Sequence, residues 1–145
     1  MTAFEKILRL YEGYLEQARK VEQERNPLDG VLGFGSKSED APCHDQFIKA
    51  MGTLLNTASE DNLNSNEIRE VLEYIYRAPK ENQEPLSAYW MLIAVHGQTT
   101  DLIKHLSRED AGTLWAEYKR IYRHWDRLPA QEKVLAALDR VRKGK

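Results

Sequence analysis

A chain of 145 residues, 41% hydrophobic and with a formal net charge of −2, fits one domain and can bury a core without a disulfide or metal staple. Its single cysteine, Cys43, excludes an intrachain disulfide and points to a reducing compartment. The first residues, MTAFEKILRLYEGYLEQ, carry charges throughout, and no stretch approaches the roughly 20 apolar residues a membrane span requires. A cytoplasmic protein without membrane contact is expected. The charge is uneven. From Ala111 onward nine basic and four acidic residues leave +5, so the first 110 residues carry −7. Such a polarity can steer an acidic partner.

In chain order, Thr2 with Glu5 forms a capping box, and the helix it opens should run to about Arg25. Its stripe is Phe4, Ile7, Leu8, Tyr11, Tyr14, Leu15, Ala18 and Val21, an unbroken three/four spacing. Gly13 lies off that stripe. Asn26-Pro27 stops the helix. From there to Ala41 the residues PLDGVLGFGSKSEDA hold three glycines and no helical period, a long connection for a bundle. Leu28, Val31, Leu32 and Phe34 make it an ordered loop folded back on the core, and loops of that kind often carry function.

Pro42 suits the first position of the next helix, whose stripe is Phe47, Ile48, Met51, Leu54, Leu55 and Ala58, with His44 extending it backwards. SEDNLNSNE is a turn cluster, and Asn64 or Ser65 caps a helix Glu67–Arg77 that ends at Ala78-Pro79. Pro85 opens LSAYWMLIAV, the most apolar ten residues of the chain. A helix apolar on every side should be buried on every side, which makes this the centre of the bundle. At His96-Gly97 the pattern softens. Either one helix bends at Gly97, or, preferably, two short helices meet, with Thr99 or Thr100 capping the second. Ser107 with Asp110 caps a helix to about Trp125, with Leu114, Trp115, Tyr118, Ile121, Tyr122 and Trp125 inward. Leu128-Pro129 starts the last helix, with Val134, Leu135, Leu138 and Val141 inward and a tail that frays from about 142 to 145.

The expected architecture is therefore all-α: a single-domain bundle, residues 1–145, of five to six helices around a central apolar helix at about 86–96, with a long loop at about 26–41.

Four constellations could carry chemistry. Gly30, Gly35, Lys37 and Ser38 nearly spell a phosphate-binding loop, but Ser36 breaks the spacing and no strand precedes it. Cys43-His44-Asp45 sits at a helix N-terminus, where a thiol pKa falls. Adjacent helical residues diverge by about 100°, so a base for Cys43 would come from elsewhere, such as His96. His44 and His96 both lie on core faces, but no E-x-x-H, H-x-x-x-H or C-x-x-C occurs, and His105 with Glu109 straddles a cap. No metal and no cofactor is expected. Finally, Lys119, Arg123 and Arg127, with Arg120 beside them, line one face of a helix over 113–126 among aromatics, a pattern that can hold nucleic acid. Three tryptophans and seven tyrosines are many for such a chain, and Tyr74, Tyr76, Tyr89 and Trp90 cannot all face one narrow stripe. Both residue types favour interfaces.

The leading expectation is a non-catalytic protein-interaction or self-associating module, acting on a protein partner or as a homodimer. The second is a ligand-binding or thiol-dependent enzymatic pocket between loop 28–38, Cys43, His44 and His96. The third is an acidic partner, nucleic acid included, on the face formed by Lys119, Arg120, Arg123 and Arg127, with Phe34 of the loop as a further candidate contact.

Overall fold

The structure, a computed structural model, describes residues 2–24, 42–123 and 127–144. The expected loop at 26–41 with Phe34, and Trp125, lie outside the described residues. The helices are α1 (Ala3–Glu24), α2 (Pro42–Glu60), α3 (Ser65–Glu81), α4 (Leu86–Ala94), α5 (Thr100–Ile103), α6 (Arg108–Ile121) and α7 (Pro129–Arg142), with a 3₁₀ turn, Val95–Thr99, joining α4 to α5. Among the described residues there is no strand, and no helix is long and apolar enough to cross a membrane. The all-α bundle read from the periodicity is the architecture observed.

Helix α1 starts where the capping box places it, the Glu5 amide donating to Thr2 Oγ1 at 3.1 Å. Ile7, Tyr11, Tyr14, Leu15 and Ala18 are buried. They meet α2: Phe47 takes the edge of Tyr11 at 5.2 Å between centroids and stacks on Tyr14 at 4.1 Å. Gly13 faces solvent, and a Cβ there would touch nothing.

Helices α3 and α6 are tied at their starts. Asn64 Oδ1 accepts from the Glu67 amide at 2.9 Å, and Ser107 Oγ accepts from the Asp110 amide at 3.1 Å. The Ser107 amide donates to Ser65 Oγ at 2.8 Å, and the Ser65 hydroxyl donates to Asp110. Further along, Arg69 pairs with Asp110 and Arg77 with Glu117. Helix α7 packs on α6 more extensively than any other pair of helices meets, burying Val134, Leu135 and Leu138. The last turn of α7 carries side-chain contacts. Arg142 lies 3.9 Å over the Trp115 ring, and both Arg142 and Lys143 pair with Asp139.

Three boundaries differ from those the sequence implied. Helix α3 does not end at Ala78-Pro79; it passes through Pro79 to Glu81 and closes on Asn82, whose side chain donates to the Ala78 carbonyl at 2.9 Å. Helix α6 stops at Ile121, because Tyr122 turns to an extended backbone (φ −114°, ψ 99°) and puts its phenol on the Tyr76 carbonyl at 2.6 Å. Between Ala94 and Thr100 the backbone neither bends away nor restarts at a side-chain cap; it stays in the right-handed region and tightens to 3₁₀.

The central apolar segment at about 86–96 is open on one side, that of α4. Helix α4 touches α1, α2, α3 and α7 and buries Ser87, Ala88, Leu92 and Ile93. Leu86, however, is 62% exposed and Trp90 44% exposed. The centre of the molecule is the turn that follows. Val95, His96 and Thr99 have no exposed surface, and the turn contacts α2, α3, α4, α5 and α7. Gly97 faces α7, where a Cβ would make an ordinary contact with that of Ala130 at 3.4 Å.

Candidate functional site

The buried polar centre follows from Pro79. A proline inside a helix has no N–H for the carbonyl four residues back, so Pro79 leaves the Ile75 carbonyl without its helical donor. His96 Nε2 lies 3.1 Å from that oxygen. A carbonyl can only accept, so Nε2 carries the proton and Nδ1 is the acceptor. The Tyr118 hydroxyl, 2.8 Å from Nδ1, therefore donates. The Thr99 hydroxyl donates to the His96 carbonyl at 2.8 Å and accepts from the Tyr76 hydroxyl at 2.7 Å, while Tyr122 covers the Tyr76 carbonyl. Rings of Tyr76, Tyr118 and Tyr122 pack on the imidazole edge-to-face at 5.1–5.7 Å. Burial pushes the His96 pKa down to about 3, against a smaller opposing effect of the Ile75 carbonyl bond, and raises those of Tyr76, Tyr118 and Tyr122. Both ring nitrogens are engaged and the ring is neutral at pH 7. This histidine repairs a helix.

Cys43 and His44 lie in the first turn of α2, on the α1 side. His44 Nδ1 and the Tyr14 hydroxyl are 2.6 Å apart, their rings edge-to-face at 5.6 Å. Cys43 is 8% exposed. A helix N-terminus by itself lowers a thiol pKa. Desolvation outweighs the Cys43 and His44 backbone N–H groups, and the pKa is raised. His44 and His96 engage separate partners, Tyr14 on one side and Ile75, Tyr76, Tyr118 and Tyr122 on the other. Among the described residues no cluster of three His, Cys, Asp or Glu converges as a metal site.

The basic face expected over 113–126 is dispersed, because α6 ends at Ile121 and Arg123 and Arg127 lie beyond it. Lys119 sits over the Trp115 ring at 4.2 Å, Arg120 is exposed, and the largely covered Arg127 side chain pairs with Glu132 at 2.9 Å.

What composition alone did not locate is the open side of α4. Leu86, Trp90 and Ala94, four residues apart, are exposed, which on a helix makes one line. Trp90 meets the ring of Tyr89 edge-on, at 5.2 Å and 70°. The helix contains no charged residue. At its Leu86 end a groove of about 560 Å³ is lined by Arg19, Glu22, Gln23, Glu84 and Pro85. The surplus of aromatics signalled such a surface, and the uniform apolarity of LSAYWMLIAV concealed it.

No protein-family model matches this chain, and neither does any curated protein or solved structure to which it was compared. The chemistry of its own side chains is thus the guide to function.

Proposed function

We propose that the protein is a non-catalytic self-associating module whose contact surface is the open face of α4. The observation that carries this reading is Trp90, 44% exposed on an uncharged helix beside the still more exposed Leu86. Tryptophan is among the residues most enriched at the interface positions that dominate binding, and an apolar exposed line marks a contact site.

A second copy is the partner that fits best. In a two-fold contact each patch meets itself, so a patch with net charge would repel its mate; α4 has none. Two α4 helices crossing antiparallel about Trp90 would set Leu86 of each against the small Ala94 of the other. A nine-residue helix is only about 13 Å long, so the contact belongs with small, reversible interfaces rather than obligate ones.

Light scattering over a concentration series tests this. The wild-type chain is expected to gain mass with concentration, and Trp90→Glu, which sets two carboxylates face to face, to stay monomeric with unchanged helix content. A wild-type monomer at about 1 mM, where the binding energy in question is only about 4 kcal/mol, would overturn the reading. So would a dimer indifferent to Trp90→Glu.

A further inference from the structure

At α7 and the α5 segment lies a second groove, of about 430 Å³. Its lining combines the apolar Ala136, Ala137 and Val141 with Thr100 and the cations Lys104, Lys133 and Arg140, with no acid among the described residues that line it. We infer that this groove docks an acidic, amphipathic helical segment of a partner protein.

The charge balance of α7 is the reason. Its acids, Glu132 and Asp139, are already paired, Glu132 with Arg127 and Asp139 with Arg142 and Lys143. None of those three cations lines the groove. Lys104 pairs with Asp101 in an exposed contact at 3.3 Å, which is weak and readily exchanged. Lys133 and Arg140 are exposed and line the groove. Seven residues apart, they stand two helical turns, about 10 Å, from one another on one face, with the alanines between them.

A helical ligand meets that spacing with carboxylates at i and i+7 and apolar side chains at i+3 and i+4. Helix-in-groove binding reads such anchors, and the cations set register and capture rate. The lining also separates this ligand from a single-stranded nucleic acid. Single strands stack their bases on aromatic platforms, and the described residues lining the groove include no aromatic ring. This site is independent of the α4 face, which serves as its control.

The test is fluorescence anisotropy with a fluorescein-labelled helical peptide of about four turns, glutamates at i and i+7 and leucines between. Saturable binding is expected to weaken as salt rises. It should fall at least about tenfold in Lys133→Glu/Arg140→Glu, as like charges now meet, persist in Trp90→Glu, and be lost when the peptide's glutamates are replaced by lysines. Lys133→Gln/Arg140→Gln gives a milder loss in the same direction. Absence of binding, binding unaffected by the double reversal, or an oligothymidine that binds as tightly as the peptide would overturn the inference.

Discussion

The two halves of the stretch from Leu86 to Ile103 are built on opposite terms. In the turn Val95–Thr99 the side chains of His96 and Thr99 are fully buried, and the ring nitrogens of His96 and the hydroxyl of Thr99 have partners from α3, α6 or the turn itself. In α4, immediately before it, apolar side chains stand in solvent. The His96–Thr99 network is satisfied within the chain, whereas the open face of α4 is left uncovered. A histidine with both nitrogens bonded and its charge suppressed is a structural element, however suggestive a buried histidine looks in sequence. An exposed tryptophan on an uncharged helix is the feature left over.

Breaking the closed half should cost most. His96→Leu strips the Ile75 carbonyl of its donor and the Tyr118 hydroxyl of its acceptor, and the two unmet buried bonds should cost about 2–4 kcal/mol in urea unfolding. The same substitution in a Pro79→Ala background, where the alanine amide can restore the helical donor to Ile75, should cost about 1 kcal/mol less. Equal costs in the two backgrounds would show that His96 does not stand in for the missing N–H.

Acid tests the same half. The His96 pKa lies at about 3 in the folded chain, below the unfolded value of about 6.5, so the unfolded state binds the proton first. Its contribution is complete above the unfolded pKa and is lost as pH falls. About 2 kcal/mol should go between pH 7 and pH 5, and His96→Gln should remove that component from the pH profile of stability.

These two experiments also mark what the sequence could reveal. The stripe from Ile7 to Ala18 was legible because three/four spacing is a local property, and so were the Thr2, Asn64 and Ser107 caps. Pro79 misled as a helix terminator because its lost bond is replaced by a side chain 17 residues downstream, which no local pattern contains. The end of α6 at Ile121 has the same character, since Tyr122 answers to the Tyr76 carbonyl on another helix. In α4 apolarity reports only that a surface prefers to be covered, not that the same chain covers it. The candidate pocket between loop 28–38, Cys43, His44 and His96 includes residues outside those described; of the rest, His44 meets Tyr14 and His96 meets Ile75 and Tyr118, pairings that helical periodicity does not encode.

Smaller effects bear on the same contrast. Gly13→Ala adds a Cβ where nothing would be touched and should stabilise the chain by about 1 kcal/mol through helix propensity alone. Cys43, with its thiol covered and its pKa raised, should alkylate at neutral pH about tenfold more slowly than a small-molecule thiol. Rapid, selective modification would reopen the thiol chemistry. Trp90→Glu should shift stability by no more than about 0.5 kcal/mol, as exposed substitutions usually do, while abolishing self-association.

The α4 face has its decisive test in ¹⁹F NMR of the protein carrying 5-fluorotryptophan, its resonances assigned by single substitutions. With rising protein concentration the Trp90 signal should shift or broaden while that of Trp115, held between Lys119 and Arg142, stays fixed. A Trp90 resonance that does not move, or one that moves only in step with Trp115, would show that α4 is not the contact surface.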